Sequence, residues 1–251
     1  GYVFRVDLRL RPDPGSTPVA VSFNGAEAYY QSLAQTWERS AFIKARPIAG
    51  DMTAGAEFLE RLRPFIWRRH LDFAAIDDIH MMKSRIHEHG FHRGRVLAGH
   101  DVKLGVGGIR EIEFYAQIHQ LISGGRRVDL QKRPTLEVLE ALHKAGDISQ
   151  TEYTELCEAY HFYRKVEHRL QMIDDQQTHI IPNDSTQLTA FAHFLGYTDL
   201  QSLEKEYVEH LNLVHAHYEK LLPKDASNSV QLQDQLKAFQ DQEQLQSILE
   251  T

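Results

Sequence analysis

The chain has 251 residues, of which 25% are charged, and a formal net charge of -7 at pH 7. A dedicated nucleic-acid binder usually presents a net basic surface to the phosphates, so this charge balance argues against that class. The single cysteine, Cys157, excludes an internal disulfide and fits a reducing compartment. With no apolar run of about 20 residues and no signal segment, the sequence predicts a cytoplasmic protein that does not enter the membrane.

The first segment, Val3 to Pro12, predicts a β-strand with one charged face. Apolar residues alternate there with charged ones, which are Arg5, Asp7, Arg9 and Arg11. A period of two is typical of a strand that has one face on a core. The charged row, about 20 Å long, suits phosphates and a divalent cation, because arginine forks bind phosphate oxygens and a carboxylate binds the cation. Alternation alone slightly favours the other interpretation, an edge strand in water whose charges neutralise one another.

Turn residues at 13–18 follow, and Val19 to Phe23 predicts a short strand that returns antiparallel to the first. From Asn24, the expected N-cap of the first helix, the pattern is helical almost to the end. We predict helices at about 24–34, 36–46, 51–70, 75–89, 108–123, 135–145, 149–176, 185–195 and 200–222. On the helix 149–176 we expect a buried stripe, formed by Tyr163, Val166, Leu170 and Ile173.

The predicted helix at 36–46 carries charges on all sides. Its apolar residues surround the helical wheel, so the charged side chains cannot all reach water; these are Glu38, Arg39, Lys44 and Arg46. Buried charges need partners or a ligand. The helix therefore either forms one wall of a polyanion site or contains an internal ion-pair cluster, such as Glu38 with Arg39 or Arg46.

Glycines precede the helix predicted at 108–123. The relevant residues are Lys103, Gly105, Gly107 and Gly108, followed within the helix by Arg110 and Glu113. Such glycines allow backbone N–H groups to converge on an anion at a helix N-terminus. The pattern is neither a P-loop nor a dinucleotide fingerprint, so as a bare glycine loop it is a weak indication of anion binding.

Two further polar segments have a structural explanation that is favoured by spacing alone. Glu167, Gln171, Asp174 and Thr178 share one helix face, which predicts a solvated surface. The segment 61–70 holds five basic residues interleaved with aromatic ones, and it predicts a charged helix face more than a contact with phosphate or an acidic partner. The basic residues are Arg61, Arg63, Arg68, Arg69 and His70.

The 15 histidines raise the question of a metal site. The pairs 87/89 and 215/217 point about 200° apart on a helix, so neither pair can chelate a metal from a regular helix. His100 and Asp101 lie in a loop without a convincing set of partner histidines, and a single cysteine disfavours structural zinc. We therefore expect no histidine metal site.

Four segments closely resemble the glutamine synthetase adenylyltransferase family. They are DLRLRP with DPGSTPVAVS at 7–22, WERSAFIKARPIAGD at 37–51, HDVKLGVGGIREIEFYAQIHQLISGGR at 100–126 and EHRLQMIDDQQTH at 167–179. Their order and spacing agree with the family over roughly the first 180 to 220 residues. Family members carry two nucleotidyltransferase halves. The motifs IKAR and KLGxGGIREIEF are most similar to those of the N-terminal half, which removes AMP from glutamine synthetase.

This resemblance implies a mainly α chain. Residues 1–50 would be the C-terminal part of a nucleotidyltransferase palm, with a remnant of its mixed sheet, and 51–222 a long helical bundle. Residues 223–251, rich in Gln and Asp, would be a polar tail that forms a helix or a linker. Family members place a Gly-Ser-Asp-x-Asp element before the first strand, so we expect this chain to be a fragment that is inactive in isolation.

The implied chemistry is phosphorolysis, in which inorganic phosphate attacks the adenylyl-tyrosine of glutamine synthetase and releases ADP. Asp7 would be the catalytic carboxylate and would hold Mg²⁺ or Mn²⁺ with the upstream acids. The implied nucleotide- and phosphate-binding residues are Arg9, Arg11, Lys44, Arg46, Lys103, Gly105, Gly107, Gly108, Arg110 and Glu113. Implied partners are glutamine synthetase, the PII signalling protein, ATP or ADP and phosphate. Alternatives are the adenylylating half, which uses ATP, and a helical docking module without catalysis.

Overall fold

The computed structural model of the chain describes residues 8, 11–13, 15–69, 81, 96–173 and 177–221. Asp7, Arg9, most of the predicted first strand, nearly all of the predicted helix at 75–89 and the tail after Leu221 lie outside the described residues. Within the described part the chain is mainly helical, which confirms the predicted fold class. Pairing between extended segments is limited there to one antiparallel bridge, between Asp101 and Ile180.

The described helices fall into an N-terminal group and a longer C-terminal group. In the first group, α1 is Phe23–Ser32, α2 is Thr36–Phe42, α3 is Met52–Arg61 and α4 is Arg63–Ile66. In the second group, α5 is Ile109–Ser123, α6 is Thr135–Ala145, α7 is Gln150–Met172, α8 is Ser185–Leu195 and α9 is Leu200–Leu221. A short 3₁₀ turn at Val128–Leu130 connects α5 to α6.

Capping side chains explain where several helices begin and end. Asp51 starts α3, because its Oδ1 accepts hydrogen bonds from Thr53 N and Ala54 N, both at 3.0 Å. Ser149 and Glu152 form a capping box at the start of α7. These polar caps satisfy backbone donors that have no partner inside the helix.

The expected strand at Val19 to Phe23 is wrong. Phe23 begins α1, and Ser22 rather than Asn24 is its N-cap, with the Ser22 hydroxyl accepting from Gly25 N at 3.2 Å. The expected helix 51–70 is divided at Leu62. Pro64, which has no amide donor, falls in the first turn of α4, where a helix tolerates proline.

Most of the buried apolar side chains form one large cluster, to which all the helices from α5 to α9 contribute. The predicted stripe on α7 belongs to it: Tyr163, Val166 and Leu170 are buried, whereas Ile173 follows the end of the helix and is exposed. Cys157, also on α7, packs against this cluster and is half-buried. Burial raises the pKa of its thiol.

A smaller cluster joins the N-terminal helices to the same two long helices. Tyr30 of α1 and Phe65 of α4 meet Ile118 of α5 and Tyr218 of α9. Side chains from both sides of residue 50 therefore share one core, while the division into residues 1–50, 51–222 and 223–251 stays a prediction. None of the described helices combines the length and apolar character that crossing a bilayer requires.

Candidate functional site

The segment 99–108, which leads into α5, is held by the chain that follows α7. Val102 N donates to His179 O at 2.8 Å, and Ile181 N donates to His100 O at 2.9 Å. This pairing places Lys103 beside α7, as well as beside the start of α5.

His100 and Asp101 both have structural roles in this segment. Asp101 Oδ1 accepts hydrogen bonds from Lys103 N at 2.9 Å and Leu104 N at 2.8 Å, which closes a tight turn. The His100 ring is buried, and its Nδ1 lies 2.8 Å from the hydroxyl of Tyr207 on α9. Burial lowers the pKa of His100. These contacts account for both residues without a metal.

Close packing explains the glycines of the loop. Gly107 has a φ of +76°, and a Cβ on it would lie 2.3 Å from Leu211 O in α9. The first amides of α5 are also committed, since Ile109 N donates to Val102 O at 3.0 Å and Arg110 N to Lys103 O at 3.0 Å. An anion at this helix start would have to compete with these bonds. Phosphate binding by Gly105, Gly107 and Gly108 stays a prediction.

The main polar site of the described residues is centred on Arg164 of α7. Its Nη2 lies 2.7 Å from Glu113 Oε1 on α5, and its Nη1 lies 2.6 Å from Glu167 Oε2. The Tyr160 hydroxyl accepts from Arg164 Nη2 at 3.0 Å. Burial alone would lower the pKa of Arg164, but the hydrogen bonds to Tyr160 and Glu167 and the charge of Glu113 outweigh it and raise the pKa.

Two more side chains reach the buried carboxylate of Glu167, whose side chain is only 4% exposed. Lys103 Nζ lies 3.9 Å and His179 Nδ1 lies 3.2 Å from Glu167 Oε1. We call this set the Arg164 cluster; it consists of Lys103, Glu113, Tyr160, Arg164, Glu167 and His179. Lys103 is its least engaged cation, because its side chain is 38% exposed and its ion pair is long. An anion approaching from solvent can therefore reach Lys103.

Lys44 lies near this cluster, at the end of α2. Its Nζ donates to Thr135 Oγ1 at 3.2 Å and to the Arg133 carbonyl. Burial lowers the pKa of Lys44; attraction by Glu113 opposes the shift and repulsion by Arg164 adds to it. Three predicted site residues, Lys44, Lys103 and Glu113, are thus brought together.

Arg11, Arg46 and Arg110 are not members of the Arg164 cluster. Arg11 binds its own turn, with Nη1 donating to Leu8 O at 2.5 Å and Nη2 to Thr17 O at 3.5 Å. Arg46 and Arg110 are exposed. Asp7 and Arg9 lie outside the described residues, so the predicted metal site is not placed. Across the part of the chain that the structure describes, no group of three or more His, Cys, Asp or Glu side chains is arranged to hold a metal ion.

Two of the charges of α2 are buried, as predicted, but they are not paired with each other. Glu38 Oε2 accepts from Gln35 N at 2.9 Å. Arg39, 1% exposed, donates from Nε to Ile66 O at 3.0 Å and from Nη2 to Leu121 O. These carbonyls lie at the C-terminal ends of α4 and α5, where the helix dipole favours a cation. Burial, together with the nearby charge of Arg68, lowers the pKa of Arg39 to about 10.

Sequence reasoning missed Arg164 and Tyr160. The signal available was the spacing on α7, since Tyr160 and Glu167 stand four and three positions from Arg164 on one helix face. Glu167 was expected on a solvated face, and this is wrong: α5 and the segment 99–108 cover it. Gln120 of α5 is also buried, and its Nε2 donates to Leu130 O and Lys132 O, both at 2.7 Å.

Two family models match the chain. Residues 80–222 match the family described as GlnD PII-uridylyltransferase, and residues 1–61 match the family described as glutamate-ammonia ligase adenylyltransferase.

Curated relatives with closely similar sequences include bifunctional glutamine synthetase adenylyltransferase/adenylyl-removing enzymes of three bacteria. The protein of Rhodopseudomonas palustris is 51% identical over 92% of this chain and 23% of its own length. Those of Bradyrhizobium diazoefficiens and Agrobacterium fabrum are each 50% identical, over 90% and 91% of this chain and 23% of their own lengths. The chain therefore spans less than a quarter of the length of these relatives.

Proposed function

Because the chain belongs to the glutamine synthetase adenylyltransferase/adenylyl-removing enzyme family, we propose that it is the part of such an enzyme that completes the site for AMP removal. The observation that carries this proposal is the sequence similarity to the curated relatives, which are 50% and 51% identical to this chain over 90% and 92% of its length. The amino-acid sequences of the segments at 37–51 and 100–126 favour the AMP-removing half over the adenylylating half.

The proposed reaction occurs at phosphorus. An oxygen of inorganic phosphate attacks the phosphorus of AMP on the modified tyrosine, the bond from phosphorus to the tyrosine oxygen breaks, and ADP and the free tyrosine hydroxyl are released. Such a transfer needs positioning and charge neutralisation more than covalent help from the protein. Asp7, with carboxylates supplied upstream, would hold Mg²⁺ or Mn²⁺, which neutralises phosphate charge when bound.

Lys103 and the Arg164 cluster supply the part of the proposed site that the described residues contain. Lys103 is the member that meets phosphate, because its side chain reaches solvent. Arg164, held by Glu113 and Glu167, positions Lys103 by fixing the shared carboxylate. Arg9, Arg11, Lys44, Arg46, Arg110 and the glycines at 105–108 remain candidate nucleotide contacts. The proposed protein partners are glutamine synthetase as substrate and the PII protein as regulator, in the cytoplasm.

The test uses the full-length enzyme that contains this segment, carrying Asp7→Asn. Addition of AMP to glutamine synthetase and its phosphate-dependent removal are measured separately. We expect removal to fall by at least about 100-fold, since loss of one charge-stabilising group typically costs about 100- to 1000-fold, and addition to be unchanged. Asp51→Asn is the matched control, because asparagine also caps a helix and Asp51 is exposed.

The two alternatives give different results in the same assay. If addition falls and removal survives, the segment belongs to the adenylylating half. If both activities survive Asp7→Asn, the segment is a docking module, and the role of Asp7 is refuted. Residues 80–222 match the PII-uridylyltransferase family, so uridylyl transfer is tested as well. UTP and PII are added to the enzyme, and we expect no uridylyl transfer to PII.

A further inference from the structure

A pocket of about 590 Å³ opens between α4 and the residues that follow α5. Its walls include Arg63, Trp67, Arg69, Gly125, Arg126 and Gln131. Three guanidinium groups therefore line one concave surface, and none of the described residues that line the pocket is acidic. The sequence alone favoured a charged helix face for this basic run, whereas the fold gathers two of its arginines with a third from elsewhere in the chain.

Close backbone contact holds these arginines in position. A Cβ on Gly125 would lie 2.0 Å from Arg68 O, and a Cβ on Gly124 would lie 2.5 Å from the Trp67 ring. The backbone at 68–69 consequently lies directly on Gly125, and the Trp67 ring lies on Gly124, an approach that only glycine permits. Arg69 and Arg126 lie on the two sides of this contact, so the positions of their backbones are set before any ligand arrives.

Among the described residues, the arginines of the pocket have weaker ion pairs than their neighbour Arg127, or none. Arg127 is paired with Asp129, at 2.6 Å, and with Asp147. Among the described residues, neither Arg69 nor Arg126 has an ion pair. Arg63 has only Glu60, at 3.9 Å and with both side chains well exposed, which is a weak interaction.

Backbone carbonyls beside the pocket, which would repel an anion, accept hydrogen bonds from side chains. Arg39 binds Ile66 O and Leu121 O, at the ends of α4 and α5. Gln131 Nε2 donates to Gly124 O at 2.6 Å. One carbonyl at the end of each helix is therefore bound, and among the described residues no carboxylate lines the pocket.

We propose that this arginine pocket binds a small anion that carries two or more phosphates, such as pyrophosphate or the diphosphate of a nucleotide. Arginine forks bind phosphate oxygens in pairs, and three guanidinium groups match the roughly threefold negative charge of a diphosphate. The volume falls within the usual range of small-molecule sites, and Trp67 offers a ring to a nucleotide base. The proposal goes beyond the proposed function and uses none of its residues.

The test is calorimetric titration of the 251-residue chain with pyrophosphate and, separately, ADP. The buffer contains no divalent cation, which removes the metal-dependent part of binding at the proposed Asp7 site. We expect saturable binding that weakens with added salt, and a loss of at least about 10-fold in Arg126→Gln and in Arg69→Gln, since each removes a charge-assisted contact. Arg169→Gln, which removes one charge from α7 over the Phe194 ring, is the control and should change binding less than twofold.

The unfolding temperature of each variant, measured without ligand, shows whether a loss of binding comes from a loss of folding. Because Arg126 and Arg69 have no ion-pair partner among the described residues, we expect both variants to unfold at or slightly above the temperature of the parent chain. Arg126→Lys, which keeps the charge but loses the fork, should bind a few-fold more weakly than the parent. Equal affinity for pyrophosphate and ADP supports recognition of phosphates alone, and tighter ADP binding supports a base contact with Trp67.

Three results would overturn the proposal. The first is no saturable binding of either compound up to about 1 mM. The second is an equal loss in Arg169→Gln, which would make the effect one of overall charge. The third is displacement of pyrophosphate by an acidic peptide at the same concentration, which would assign the surface to a protein partner.

Discussion

His119 is a histidine that the fold keeps neutral. It lies on α5 beside the Tyr115 ring, and its Nε2 is buried without a hydrogen-bond partner among the described residues. Burial lowers its pKa to about 4. The unfolded chain takes up this proton near pH 6.5, whereas the folded chain resists it down to about 4. Protonation therefore favours the unfolded state between these values.

We predict that the free energy of unfolding falls as the pH drops from about 6.5 to about 4, with His119 contributing on the order of 2 kcal/mol. His100 and His210 act in the same direction, since burial lowers the pKa of each. His119→Phe keeps a ring beside Tyr115 and should flatten the dependence by that amount, as measured by urea unfolding at several pH values. Parallel curves for the parent and the variant would show that His119 is not the group responsible.

At the same scale, the sequence predicted which charged residues are buried more successfully than it predicted their partners. The charges of α2 were expected to be partly buried, because apolar residues surround its helical wheel, and Glu38 and Arg39 are. The partners of Arg39 were not predictable: Ile66 and Leu121 lie 27 and 82 residues away, and backbone carbonyls carry no sequence signal. Arg164 was missed for a related reason, since Glu113 comes from another helix.

At the scale of the element, two glycines with nearly the same backbone conformation have very different surroundings. Gly107 has φ +76° and touches α9, whereas Gly146, which ends α6, has φ +81° and open space around it. We predict that Gly146→Ala costs about 1 kcal/mol, the strain of the left-handed conformation alone. Gly107→Ala should cost at least about 3 kcal/mol, because its Cβ would also meet Leu211.

Chemical unfolding of both variants measures this difference. Similar losses would mean that the segment 99–108 moves away from α9 easily, and that its packing contributes little to stability. The comparison separates backbone strain from crowding, because strain is common to both sites.

Helix boundaries were predictable where capping residues mark them. The limits 135–145 and 185–195 agree with α6 and α8, which end at Gly146 and Gly196 in the left-handed conformation. The strand expected at Val19 to Phe23 failed because its alternation is short and Ser22 starts a helix instead. Local pattern thus decided most elements, while the Arg164 cluster depends on contacts between elements that local pattern does not contain.

At the scale of the whole molecule, α5 and α9 contribute to both core clusters. Ile112 and Leu211 belong to the larger cluster, and Ile118 and Tyr218 to the smaller. The same two helices therefore hold both clusters, and we predict that the described part unfolds in one step.

The chain offers two probes for this prediction. Its two tryptophans, Trp37 and Trp67, stand in α2 and just after α4, so fluorescence reports on the N-terminal group, whereas far-UV circular dichroism is dominated by α5 to α9. The two urea transitions should coincide. Ile112→Val, in the larger cluster only, should shift both by the same 0.5 to 1.5 kcal/mol, roughly the cost of one buried methyl group. Separate transitions would show that the clusters unfold independently.

The half-buried thiol on α7 gives the chain a built-in reporter of local motion. Since Cys157 is the only cysteine and its thiolate is the reactive form, a maleimide or disulfide reagent modifies one site and does so slowly while the helix stays packed. The labelling rate then counts how often α7 separates from the larger cluster. Occupancy of a ligand site elsewhere in the molecule can be followed through that rate without introducing a dye or an isotope.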